Sequence, residues 1–233
     1  MGSYQLTRSH PDFSPNAAPW ARCHSYALDF AYMSMREITV ADVPVRALRV
    51  TFAGELGWEF YCPTEYGAGL WRALYEAGRV HGLRPGGYRA IDSLRLEKGY
   101  RVWAADITPD ETPFEGGLGF CVRKQNRTFL GADALEEQPE KRLRCIVLAD
   151  ASSVALGNEP VQLGGAVAGR VTTGGYGYTV GSSIAYAYLP ADVPIGQAVE
   201  IDIFGRWIEG EVVREPLFDP RGERVRGDPR TAP

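Results

Sequence analysis

Three groups of polar residues in this chain have types and spacings that could do chemistry. The first is Glu59, in the stretch "VTFAGELGWEFYCP" from Val50 to Pro63, with Phe52, Trp58, Phe60 and Tyr61 close to it in sequence. A carboxylate beside aromatic faces can accept two adjacent N–H donors of a flat heterocycle in a fork while the rings stack. A lone strand glutamate is also usually just solvated. The sequence alone leaves both readings open. The second group is Asp92, Arg95, Glu97 and Arg101 in "AIDSLRLEKGYR". Spacings of three and four residues predict an exposed, ion-paired helix face. The third is Asp106, Asp110, Glu111 and Glu115 in "DITPDETPFEGGLGF". Four acids could hold a hard cation, but their spacing does not follow the calcium loop D-x-[DN]-x-[DN]-G, so no metal site is expected. Long non-repetitive loops of this kind do tend to carry function.

Other chemistries find less support. "GGLG" and "TTGGYGYTVG" are neither GxGxxG after a strand nor GxxxxGK[ST], and read as turns. His10, His24 and His81 have no partner pattern, and no GxSxG element occurs. Cys23, Cys62, Cys121 and Cys145 form no CxxC pair, so a reducing compartment is expected rather than zinc or a disulfide framework. Cys62 and Cys145 lie in apolar runs and read as small core residues.

The elements that must position these groups can be read coarsely. "VPVRALRVTF" alternates as a strand, "AGELG" turns and "WEFYCP" returns. "TEYGAGLWRALYEAGRVHG" is helical, with Thr64 as N-cap, Leu70, Leu74 and Ala77 on one face and Gly82 as the stop. "YRAIDSLRLEKGY" is a second helix, with Ile91 and Leu94 on one face and Gly99 at its end. A long loop follows and runs into a strand at Gly119–Val122. "GADALEEQ" is a short helix and Pro139–Leu143 a linker. From Arg144 onward, short apolar strands separated by Gly, Pro and Asn predict a β-barrel or sandwich. Residues 1–30 show no sustained period and read as a loosely ordered arm. At 233 residues with 45% hydrophobic content, the chain is long enough for two such parts to bury cores without staples. The net charge of −4 without a basic run gives no support to nucleic-acid binding. The lack of any apolar run near ~18 residues predicts no membrane helix. With no signal-peptide pattern at the N-terminus, a cytoplasmic location is expected.

Three stretches, taken together and in order, carry a resemblance: "VPVRALRVTFAGELGWEFYCP", "GYRAIDSLRLEKGYRVWAADITPDETPFEGGLGF" and "GRVTTGGYGYTVGSSIAYAYLP". They resemble the glycine cleavage T-protein (aminomethyltransferase) family. The resemblance is strongest to the folate-binding C-terminal portions of dimethylglycine and sarcosine dehydrogenases or oxidases, and runs from Met33 to Arg226. It implies an α+β fold: a partial aminomethyltransferase folate-binding domain over residues 31–138, then a C-terminal β-barrel domain over 139–233, with 1–30 not matching. It also implies tetrahydrofolate as ligand, one-carbon transfer from an amine, and a flavin-dependent amine oxidoreductase as partner. The implied site is Glu59 on the pteridine edge, with Phe52, Trp58 and Phe120 around the ligand. Phe52 stands where the family usually has Tyr, and Ile91 where T-proteins often carry Arg, which points to the dehydrogenase-like branch. The family's catalytic aspartate precedes the matched stretches, and neither Asp12 nor Asp29 sits in a matching context. No catalytic residue is therefore assigned. The expectation is a truncated form, or a non-catalytic binding subunit working with that partner.

Overall fold

The computed structural model describes the backbone of residues 2–7 and, in full, residues 31–123, 129–135 and 138–226. The chain forms two compact units, Met1–Ile91 with Arg221–Pro233, and Asp92–Pro220.

In the first unit, strands β1 (Gly2–Thr7), β2 (Met35–Val40), β3 (Val43–Leu48) and β4 (Gly57–Cys62) form an antiparallel sheet in the order β1-β4-β3-β2. β1 belongs to a segment with no periodic sequence signal. The rest of that segment, residues 8–30 with Cys23, lies outside the described residues. Alternation in β3 sends Val43, Val45 and Ala47 to one face, where they pack with Phe60, Cys62 and Leu70. Leu70 and Leu74 come from helix α1 (Gly67–Arg79), which covers that face. Thr64 is not its cap. It opens a 3-10 turn, Thr64–Tyr66, and no side chain caps either start. Gly82 is the stop, at φ +76°, with the Leu83 amide donating to the Gly78 carbonyl. Helix α2 (Tyr88–Lys98) ends at Gly99, also left-handed at φ +71°.

The second unit is built on a closed six-stranded barrel. Its strands are β5 (Lys141–Leu148), β6 (Pro160–Leu163), β7 (Ala166–Gly177), β8 (Ser182–Pro190), β9 (Ala198–Ile203) and β10 (Arg206–Val213), in the order β10-β5-β8-β7-β6-β9. The segment Pro139–Leu143, expected as a linker, enters β5 at Lys141, because its polar residues sit at the exposed and half-buried strand positions. β8 shows why "SIAYAYLP" is apolar throughout. Ala185, Ala187 and Leu189 fill the barrel interior, while Ile184, Tyr186 and Tyr188 pack outward with Leu96 of α2. Both faces of this strand are covered by apolar side chains, so its sequence shows no polar alternation. The expected strand at Gly119–Val122 is instead a 3-10 turn, Gly119–Cys121. The described part of "GADALEEQ" forms a 3-10 turn at Ala132–Ala134. The last short helix is α3 (Glu223–Arg226).

Candidate functional site

Glu59 sits in the middle of β4, where strand alternation separates its neighbours. Trp58, Phe60 and Cys62 turn to the face covered by α1, and Trp58 packs against that core. Glu59 and Tyr61 turn to the other face, both half-buried. The Tyr61 hydroxyl donates to Glu59 Oε2 at 2.6 Å. That hydrogen bond, then burial and the carboxylate's charge, hold the Tyr61 proton above the ordinary phenol value. Across the sheet, Tyr61 lies opposite Arg46 and Arg46 opposite Glu37, whose carboxylate accepts from Arg46 Nε at 3.1 Å. A polar row thus runs from Glu37 through Arg46 to Tyr61, whose hydroxyl meets Glu59 on the same strand face. Phe52 is half-buried in the 49–56 connection, where the Ala53 amide donates to Thr51 Oγ1 and Glu55 accepts from Arg224 at 2.8 Å. The structure brings Glu59 together with Tyr61, which sequence reasoning did not select. Its signal was the two-residue spacing on one strand face.

Phe120 belongs to the second unit, on the 3-10 turn that ends the long loop, and is 83% exposed. Arg95 of α2 and Arg101 just beyond it hold this loop. The sequence predicted an exposed ion-paired helix face, but Arg95, Glu97 and Lys98 are buried. One predicted pair does form, Arg95 with Asp92 at 3.9 Å. The stronger partner comes from the loop. Arg95 Nη1 donates to Asp106 Oδ2 at 2.8 Å, and Asp106 Oδ1 accepts from Thr172 and Thr173 at 2.7 and 2.6 Å. Glu97 Oε1 accepts from the Thr179 amide, and Lys98 binds Asp219 at 2.7 Å. Arg101 makes a two-nitrogen fork to Glu215. Burial alone would lower the Arg101 pKa, but the hydrogen bond and charge of Glu215 outweigh it, and the net direction is upward. Three of the four residues chosen for possible chemistry, Arg95, Glu97 and Arg101, are therefore docking groups, with partners 11, 82 and 114 residues away, while Asp92 keeps the local pair with Arg95.

Of the loop acids, Glu111 is held below the usual carboxylate range. Burial would raise it, but bonds from Thr108 and Lys141 win. No group of three His, Cys, Asp or Glu among the described residues could hold a metal ion. "TTGGYG" lies within β7, where a Cβ at Gly174 would stand 2.4 Å from the Ala155 carbonyl. These glycines serve close strand packing rather than a phosphate. Among the described residues no helix is long and apolar enough to cross a membrane.

An α+β unit joined to a closed barrel, with a half-buried carboxylate on a sheet face, defines a class of two-part proteins that comparison makes specific. Residues 21–126 match the GCVT N-terminal domain and residues 141–219 the glycine cleavage T-protein C-terminal barrel domain. The chain belongs to the glycine cleavage T-protein family, as its three motifs implied. It is 34% identical over 209 residues to the mitochondrial dimethylglycine dehydrogenase of Rattus norvegicus, covering 86% of this chain and 24% of that one. It is 40% identical over 190 residues to an aminomethyltransferase of Symbiobacterium thermophilum, covering 78% of this chain and 50% of that one. The crystal structure of glycine cleavage system aminomethyltransferase T from Bartonella henselae superposes with a TM-score of 0.72 at 26% identity, over 82% of this chain and 53% of that one. The chain thus spans between a quarter and about half the length of these relatives.

Proposed function

We propose that this chain binds tetrahydrofolate through Glu59 and takes part in one-carbon transfer of the aminomethyltransferase type. The observation that carries the reading is the Glu59 carboxylate, half-buried on a sheet face and held at one oxygen by the Tyr61 hydroxyl. This fits a pterin edge. A carboxylate already oriented by one donor loses less entropy when it accepts two more from a flat heterocycle. Tetrahydrofolate, when bound, supplies the nitrogen that receives the one-carbon unit. The chain's own work is to bind and orient: Glu59 anchors, Tyr61 fixes the anchor's rotamer, and Phe52 offers an apolar wall. Trp58 acts from behind, keeping β4 seated on the core. Phe120 is assigned to the same ligand by family resemblance. In this reading residues 31–138 form the folate-binding part and 139–233 the barrel domain.

The similarity to a dimethylglycine dehydrogenase supports a second reading. Here the chain is a binding module without catalysis of its own, and a flavin-dependent amine oxidoreductase supplies the one-carbon unit. Calorimetric titration with a reduced folate, beside Glu59→Gln and Phe120→Ala, tests the folate assignment. Binding that weakens in Glu59→Gln supports it; a folded wild-type chain that binds no reduced folate refutes it. Adding an amine substrate with such an oxidoreductase then separates the readings, since turnover that needs both proteins favours the second.

A further inference from the structure

Phe120 has an unusual problem for an assigned binding residue. At 83% exposed it has almost no packing of its own, so its place in space depends on the backbone that carries it. That backbone turns tightly. The Leu118 amide donates to the Pro113 carbonyl at 2.7 Å, and the Cys121 amide to the Leu118 carbonyl at 2.9 Å. Within the first of these turns, the loop rests on Arg101.

The Arg101 side chain is 6% exposed and joins three segments. Its Nε donates to the Gly116 carbonyl in the loop at 3.0 Å. Its Nη1 donates to the Gly99 carbonyl at the end of α2 and to Glu215 Oε2 at 2.8 Å, and Nη2 reaches Glu215 Oε1. The guanidinium also lies 5.1 Å from the centre of the Tyr186 ring on the barrel. The loop is pressed close against it. Gly117 has φ +75°, and a Cβ there would stand 2.9 Å from Arg101 Nη2. A planar guanidinium with five fixed donors can hold these directions at once, whereas a lysine ammonium on a flexible stem cannot.

We propose that Arg101 is a positioning residue, whose fork between Gly116 and Glu215 fixes the turn that presents Phe120 to the ligand. The functional meaning rests on the folate reading above; the positioning itself does not. It is tested in the full chain carrying Cys23→Ser and a nitroxide label on exposed Cys121, next to Phe120. Cys62 and Cys145 are buried and do not compete for label. Arg101→Lys should lose the immobile component of the label's spectrum. Lys98→Met removes a cation that is equally buried but pairs with Asp219 rather than the loop, and should keep that component. Should Arg101→Lys not fold, Glu215→Gln, which loosens the same fork, should give the same loss. An immobile component that persists in both fork variants, or that disappears equally in Lys98→Met, overturns the proposal. If wild type binds reduced folate, Arg101→Lys should weaken it as much as Phe120→Ala does; unchanged binding would refute the presenting role. If wild type binds none, the folate reading fails, and the spectra alone still decide whether Arg101 positions the turn.

Discussion

Removal of the Asp106 carboxylate should be among the most damaging single changes to the barrel unit. Asp106 is 1% and Arg95 4% exposed. Each carboxylate oxygen is fully used: Oδ2 by Arg95 Nη1 and the Val102 amide at 2.8 and 2.9 Å, Oδ1 by two threonine hydroxyls. Asp106→Ala leaves a buried guanidinium without its charge partner. Losing one half of such a pair costs about 3–5 kcal/mol, a large share of a typical fold's stability. At roughly 2–4 °C per kcal/mol for a protein of this size, the melting temperature should fall by about 6–20 °C. Asp106→Asn keeps the shape but loses the charge, and should cost about 1.5–3 kcal/mol. Arg95→Met should also destabilise, while the Arg95→Met, Asp106→Ala double variant should cost clearly less than the sum of the two. Urea unfolding followed by circular dichroism measures all four, with an unchanged m-value showing that the same transition is compared. A loss below about 1 kcal/mol for Asp106→Ala would refute the reasoning. It would mean that Arg95 finds another partner, Asp92 being nearest at 3.9 Å.

Other outcomes follow from the same structure. Glu59→Gln should weaken reduced-folate binding by about 1.5–3 kcal/mol in calorimetry, the value of a charge-assisted hydrogen bond, and leave the melting temperature close to wild type. Burial is the main cause that pushes the Cys145 thiol up to about 12 from an ordinary 9.0. The folded state therefore holds this proton more tightly than the unfolded one. Its stabilising effect is complete below pH 9 and is lost between pH 9 and 12, at about 1.4 kcal/mol per pH unit. Urea midpoints measured against pH should show this decline, and Cys145→Val should make it shallower; Tyr186, raised chiefly by burial, keeps part of it. Gly169→Ala would place a Cβ 2.1 Å from the Tyr188 carbonyl, and overpacking of this kind should cost about 1–3 kcal/mol in the same unfolding assay. Glu37→Ala breaks an exposed pair with Arg46 and should change stability by less than about 1 kcal/mol, an effect that disappears at high salt.

The sequence by itself determined the features that rest on local period and local backbone freedom. Alternation in "VPVRAL" and "WEFYC" fixed which side chains of β3 and β4 meet the core. Gly82 and Gly99 marked both helix ends because each stop needs a left-handed residue. The short apolar runs after Arg144 announced a β unit, and three ordered motifs announced the family. Tertiary structure decided what no local pattern encodes. Arg95, Glu97 and Arg101 have the spacing of a solvated helix face, yet they are buried because Asp106, the Thr179 amide and Glu215 come from distant parts of the chain to meet them. Whether the β unit closed as a barrel or stayed a sandwich depended on β9 pairing with both β6 and β10. The same limit applied at the candidate site. The two-residue spacing of Glu59 and Tyr61 puts them on one strand face, but only the folded chain shows the Tyr61 hydroxyl bonded to the Glu59 carboxylate. A charge reads as surface in sequence because water is its default partner. Only the folded chain shows where another residue has replaced the water.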